Sequence, residues 1–364
     1  MCKHNNNFNP VQCIIPPYIG ERLISSKNKK TAKTALQNHF RTSRFRSDRE
    51  FMNTLTAEQR TLFTPISKAK KKVTLNMQVY DMKHDTHTTA AQLIWDNGKV
   101  LKQLDSDAKN VVAAGRATWD FYYSLFGRNS VDNLGFVLRH YIHYYTKYAN
   151  AMWDGSEMVY GDGDGTIFGS FTSDPDIIGH ELTHGVTQYE SNLSYHNQSG
   201  ALNESLSDVF GIMVKQRMMN LNVKQSNWLI GENVVLGKKY ALRSMKAPGT
   251  AFVNHPDMGT DPQPATMDKY VQLPDTRKRD WGGVHFNSGI TNFAFYVTAF
   301  NIGGYAWEKA GRIWYAAMTD RKNLKNTATF VDFKRLTIKK SESLFGVGSK
   351  EAKAVAQGWK AAKV

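Results

Sequence analysis

The sequence predicts an α+β fold, with a strand-rich N-terminal lobe and a mainly helical C-terminal lobe joined by a central helix, all preceded by a small helical segment. Three observations predict it. Between Val73 and about Tyr160, the runs VTLNMQVYDM, AQLIWDNGKVL, FVLRHYIHYY and EMVYGDG carry β-branched and aromatic residues broken by Asn-Gly and Gly-Asp turns. From Asp176 onward the apolar spacing is mostly helical, with Gly and Pro between segments. Before both, a Lys/Arg-rich stretch ends in Lys68, Lys70, Lys71 and Lys72, which reads as an exposed linker. The boundaries are drawn at 1–70, 71–175 and 176–364.

Taken in order, Pro16-Pro17 forces extended backbone and is followed by a short helix within residues 14–24. Ala32, Ala35, Leu36, His39 and Phe40 recur at helical spacing and predict one amphipathic helix. Another short helix is expected over Thr56 to Thr61, capped by Thr56 with Glu58 in its first turn. A longer one, Ala108 to Leu125, interrupts the strands.

The composition is that of a globular protein, 41% hydrophobic and 22% charged over 364 residues. No apolar run approaches the roughly 18–20 residues that span a bilayer, and residues 1–20 lack the apolar core of a secretory signal. No membrane partner is expected, and the compartment is the cytoplasm or outside the cell by a non-standard route. Cys2 and Cys13 both lie near the N-terminus, so no disulfide framework is expected. The net charge of +15 suggests a polyanion, but its distribution argues against one: residues 1–72 hold 15 basic and 4 acidic groups, and the other 292 hold 32 and 28.

The informative stretch is His180-Glu181-Leu-Thr-His184. On a helix the two imidazoles leave one face and reach one cation, with Glu181 beside them to touch a water on that cation. Twenty residues on, Glu204 and Asp208 share a face of a second helix. A carboxylate completing a two-His site gives the three protein ligands of a catalytic zinc, and Asp208 is placed to accept the free N–H of a ligating imidazole.

These residues resemble the thermolysin family of zinc neutral endopeptidases. HELTHGVTQYE, GALNESLSDVFG, NAMWDGSEMVYGDGDG, ALRSM and GGVHFNSGI carry the likeness, from about Tyr80 to the C-terminus. Pro16-Pro17-Tyr18 resembles the short propeptide of the protealysin subgroup, so residues 1–70 are expected to be a propeptide that keeps a zymogen silent and helps it fold, and the central helix to be zinc-binding. The resemblance implies zinc on His180, His184 and Glu204, with Asp208 and Asn203 behind the imidazoles. Glu181 becomes the base that activates water, Tyr195 and His285 the donors to the oxyanion, and Asp280 the carboxylate that orients His285. Asn150 and the backbone of Ala151 pair with extended substrate, and Arg243 grips the carbonyl just beyond the cut. Phe168, Phe171, Ile177, Ile230, Val234 and Leu242 line the next pocket, which implies cleavage before bulky hydrophobic residues.

Where thermolysin builds its paired calcium site this chain has Asp176, Lys215, Asn227, Leu229 and Glu232. Ca²⁺ needs six to eight oxygens, and an ammonium opposes it, so Lys215 is expected to stand in for the cation, paired with Asp176 or Glu232. Asp162 and Asp164 lack the later positions of an EF-hand and read as a flexible turn. Cys2 or Cys13 is a candidate thiolate on the zinc, and self-cleavage is expected between Arg60 and Leu75. The expected partners are peptide or protein substrates and the chain's own propeptide; nucleic acid is disfavoured, and a monomer is expected. An inactive peptide-binding relative is the alternative, disfavoured because the base and all three ligands are present.

Overall fold

A computed structural model describes residues 12–54, 73–237 and 240–364. Seven strands form the sheet of the first lobe in the order β1-β6-β7-β5-β2-β3-β4. They are β1 (Gln12–Cys13), β2 (Met77–Asp81), β3 (Gln92–Asp96), β4 (Lys99–Val100), β5 (Leu138–Ile142), β6 (Ala151–Trp153) and β7 (Met158–Tyr160). Asn97 and Gly98, both at positive φ, make the tight turn between β3 and β4 that the Asn-Gly pair predicts. β5 lies parallel to β2 and to β7. Parallel neighbours need a crossover, and α3 (Ser106–Phe126) supplies the one between β2 and β5. Asp105 caps α3 by accepting from the Ala108 N–H, and Gly127 ends it in the left-handed region.

The second lobe is built from α4 (Pro175–Tyr189), α5 (Asn197–Met218), α6 (Asp280–Ile302), α7 (Ala310–Met318), α8 (Phe330–Phe345) and α9 (Lys350–Ala361), with a small ribbon of β8 (Leu229–Ile230) and β9 (Arg243–Ser244). The α+β architecture is therefore as the sequence predicts. α4 is buried from Asp176 to Thr187 and α5 from Ser199 to Gln216. Helices covered on every side must give each polar side chain a partner or lose several kcal/mol, which concentrates His, Glu and Asp into one network. The two helices nearly touch at Gly179 and Gly211: a Cβ on Gly211 would lie 2.5 Å from the Asp176 carbonyl oxygen and 3.0 Å from the His180 nitrogen.

The N-terminal segment contributes β1, α1 (Pro17–Ile24) and α2 (Lys29–Thr54), and α2 is far longer than the expected helix. Its expected apolar face is not the buried one. Ala35 is buried, while Leu36 and Phe40 are 56% and 70% exposed. Small and hydroxyl-bearing side chains make the contact instead: Thr31 and Thr42 are buried, and Thr42 Oγ1 lies 2.9 Å from the Tyr148 hydroxyl. The short helix expected over Thr56 to Thr61 and most of the expected processing stretch lie outside the described residues.

Candidate active site

Heptad-like spacing on α4 points His180 and His184 toward α5, where Glu204 meets them. Asp208, as a carboxylate, only accepts, so the 2.8 Å contact from Oδ1 to His180 Nδ1 fixes the proton on that nitrogen. Asn203 does the same for His184: its Nδ2 donates to the Leu193 carbonyl, which turns Oδ1 to His184 Nδ1 at 2.9 Å. Ser207 Oγ is also 2.9 Å from that nitrogen. Both Nε2 lone pairs then face one another at 3.0 Å, which a cation between them makes favourable. Glu204 lies 3.6 Å from His180 Nε2 and 3.5 Å from His184 Nε2, and its Oε2 has no hydrogen-bond partner among the described residues. Donors about 2.0–2.2 Å from a tetrahedral zinc stand roughly 3.3–3.6 Å apart. That is the spacing of Glu204 from both nitrogens, while the two nitrogens at 3.0 Å stand somewhat closer, and two imidazoles and a carboxylate are the donor types that ion takes. Burial pushes the His184 pKa down to about 3, leaving a neutral ring of the kind that ligates metals.

Glu181 sits beside the cluster. Its Oε2 accepts from the Trp153 N–H at 2.8 Å, while Oε1 makes no hydrogen bond within ordinary limits to any of the described residues. Burial, reinforced by the Glu204 charge, raises its pKa well above the usual carboxylate range. Across the cleft, α6 begins with Asp280, Trp281, Gly282 and Gly283 all at positive φ. That left-handed lead-in doubles the chain back so that Asp280 accepts both the His285 N–H at 2.8 Å and His285 Nδ1 at 2.5 Å. Burial opposes charge on His285, but Asp280 overcomes it and raises the pKa. His285 Nε2 lies 3.2 Å from the Tyr195 hydroxyl, which itself donates to Glu204 Oε1.

Arg243, fully buried on β9, forms a fork with Asp208: Nε to Oδ2 and Nη2 to Oδ1, both 2.8 Å. Asn292 Nδ2 adds a third donor at 2.8 Å. Burial would raise the Asp208 pKa, yet the guanidinium and His180 hold it well below the ordinary range. The cleft is filled by the N-terminal segment. β1 pairs antiparallel with β6, Gln12 opposite Trp153 and Cys13 opposite Met152. The Ile14 N–H donates to the Ala151 carbonyl at 3.1 Å, and the Ile15 N–H to Asn150 Oδ1 at 3.1 Å. Phe168, Phe171, Ile177, Ile230, Val234 and Leu242 are all buried in the same apolar cluster as Ile14.

The structure thus links by direct contacts His180, His184, Glu204, Asp208, Asn203, Tyr195, His285, Asp280 and Arg243. Glu181 meets β6 at Trp153, Asn150 and Ala151 meet the N-terminal segment, and the six apolar residues are buried in the common core. It also shows contacts the sequence did not announce. The Trp153 N–H on Glu181 is a backbone group and carries no residue-type signal, while Ser207, about one turn after Glu204, and Asn292, about two turns after His285, look like ordinary helix polar residues. Lys215 Nζ lies 2.8 Å from Asp174, 3.1 Å from Asp176 and 2.8 Å from Glu232, so it pairs with both expected acids and with one unforeseen. Burial, with the Asp174 charge behind it, pushes Asp176 up to about 8.

Two expectations need correction. The YGDGDG turn is pinned rather than flexible, because Asp164 Oδ1 accepts the N–H groups of Thr166, Ile167 and Phe168 at 2.8, 2.7 and 3.0 Å. The Cys13 thiol, a candidate zinc ligand, turns to the Ile15 carbonyl, and the buried metal-competent cluster among the described residues consists of His180, His184 and Glu204 without it. Cys2 lies outside the described residues.

Comparison with known proteins accounts for the arrangement. Family models for the thermolysin metallopeptidase catalytic domain and alpha-helical domain match residues 42–188 and 191–364. The chain is 39% identical to Protease PrtS of Photorhabdus sp. (strain Az29), across 98% of this chain and 92% of that protein. It is 46% identical to an extracellular metalloprotease of Pectobacterium carotovorum subsp. carotovorum, across 68% and 72% respectively. Among solved structures, the precursor of protealysin, a metalloproteinase from Serratia proteamaculans, matches with a TM-score of 0.82 at 39% identity, covering 96% of this chain and 99% of that one. Likeness from end to end, around a buried His-His-Glu cluster, shows that the chain belongs to the thermolysin family of zinc metalloendopeptidases.

Proposed function

We propose that this chain is the zymogen of a zinc endopeptidase that cuts before bulky hydrophobic residues, and that its N-terminal segment silences it. The observation that carries the reading is the convergence of two imidazole nitrogens and an unpartnered Glu204 oxygen beside the Glu181 carboxylate. Zinc, when bound there, polarises a scissile carbonyl and acidifies a bound water. Glu181 takes a proton from the attacking water and passes it to the leaving amine. Tyr195 and His285 donate to the oxygen on which charge develops, and Asp280 keeps the His285 ring oriented and protonated. Arg243, braced by Asp208, holds the carbonyl beyond the cut, while β6 and Asn150 receive substrate as an added strand. Six apolar side chains, Phe168, Phe171, Ile177, Ile230, Val234 and Leu242, buried in the same core cluster as Ile14, support selection of a bulky hydrophobic residue after the cut.

Occupation of the same cleft by residues 12–16 supports the inhibitory role, since substrate and segment need the same groups. Lys215 among three carboxylates supports its role as substitute for calcium. The extracellular relative supports export over a cytoplasmic location. Casein hydrolysis by matured protein, abolished by a zinc chelator and restored by zinc, is the expected result. Hydrolysis that survives chelation, or a cleaved-peptide library dominated by Asp, Lys or Gly after the cut, contradicts the proposal.

A further inference from the structure

The N-terminal segment lies in the cleft in one particular direction and register. The Cys13 carbonyl oxygen is 3.2 Å from His285 Nε2, the nitrogen that the Tyr195 hydroxyl also approaches. The next carbonyl, that of Ile14, accepts from Arg243 Nη1 at 3.0 Å. Between them, the Ile14 N–H bonds the Ala151 carbonyl and lies against the Glu181 carboxylate. The Ile14 side chain is fully buried. A segment threaded backwards would present an N–H where His285 needs an oxygen and a carbonyl where Glu181 needs a nitrogen. Here each group of the Cys13–Ile14 bond instead meets the side chain that acts on it.

We infer that the chain presents its own Cys13–Ile14 peptide bond as a substrate and cuts it within the same molecule. The inference rests on the protease reading above. The water oxygen bonds to the Cys13 carbonyl carbon, the C–N bond to Ile14 breaks, and Glu181 carries one of the water's protons to the Ile14 nitrogen, which the second proton follows. The products are a Cys13 carboxylate and an Ile14 ammonium, with no change of oxidation state. The cut frees residues 1–13 alone, because the rest of the segment is latched elsewhere. Arg22 Nη1 donates to the Met258 and Thr260 carbonyls at 2.6 and 2.9 Å, and Ser26 Oγ donates to Asp257 at 2.5 Å.

The test uses the purified full chain, stripped of metal and then given zinc, followed by intact mass and N-terminal sequencing at two protein concentrations tenfold apart. The expected result is a new N-terminus at Ile14, appearing at a rate that does not change with concentration and falls at least about 10-fold in Ile14→Asp. A second readout needs no catalysis: in metal-free Glu181→Gln, the Ile14 and Ile15 amides should exchange slowly with deuterium, and Ile14→Asp should lose that protection. Release of an N-terminal segment uncut at Ile14 from protein that hydrolyses casein overturns the inference and leaves the protease reading standing. A rate that rises with concentration, or unprotected amides, also overturns it. Absence of any hydrolysis, of casein or of the chain, ends both.

Discussion

Asp208 serves three neighbours at once: it orients His180, forks with Arg243 and accepts from Asn292. Asp208→Ala leaves a buried guanidinium without its partner and an imidazole without its orienting acceptor. Stability should fall by about 3–5 kcal/mol, and zinc affinity by about 10–100-fold, read by thermal melting and by competition with a metal indicator. Glu181→Gln separates chemistry from metal binding. It should lower kcat/KM by about 10²–10⁴-fold while zinc stoichiometry stays at one per chain, and loss of zinc together with activity would contradict the assigned role. At this scale legibility followed distance along the chain. His180, Glu181 and His184 were readable because one helical turn brings them together, whereas His285, 90 residues from Tyr195, was readable only through resemblance. The Trp153 N–H could not be read at all, since every residue but proline has one.

The close crossing of α4 and α5 sets how far Glu204 stands from the two histidines. Gly211→Ala would drive a methyl group into the Asp176 carbonyl, so the helices must separate. About 1–3 kcal/mol of stability should be lost, and zinc affinity should fall although no ligand has been changed, as equilibrium dialysis would show. At the far end of the same helix pair, Lys215→Met strands three carboxylates, Asp174 and Asp176 both fully buried, without their cation. Its melting temperature should drop sharply, whereas a calcium-specific chelator should leave that of the unchanged chain where it was. Helix α3 was legible because its apolar spacing repeats over several turns, and α4 and α5 because His180 with His184 and Glu204 with Asp208 each stand four residues apart. Two-residue β1 was not, because so short a segment has no period and owes its conformation to β6. The exposed Leu36 and Phe40 show the converse: helical spacing identified the helix but not the side that packs.

Across the molecule, His143 joins three parts of the first lobe. From the end of β5 it bonds Asp162 of the turn after β7 at 2.8 Å and Asp105 at the head of α3 at 2.9 Å. The hydrogen bond to Asp162 leads in raising its pKa to about 9, from 6.5 in an unfolded chain. A histidine whose folded pKa is raised contributes stability that is complete below about pH 6.5 and is lost as pH rises through about 9. Thermal melts should therefore decline between those values, and the decline should be shallower in His143→Gln. Asp176, protonated more readily when folded, tilts stability in the same direction from acid pH up to about 8, so the variant is needed to isolate His143. The two-lobe plan itself was legible because it is written in the change from alternating to helical spacing. What β1 does to the first lobe was not. It makes β6 an interior strand, and under the proposed maturation, in which the N-terminal portion departs, β6 becomes the bare margin of the sheet. Bare margins invite other chains to zip on and accumulate as fibres. Glu181 lies against this one through the Trp153 N–H, so on the proposed mechanism a stray strand that adheres there is severed, and the hazard of stickiness turns into the means of feeding.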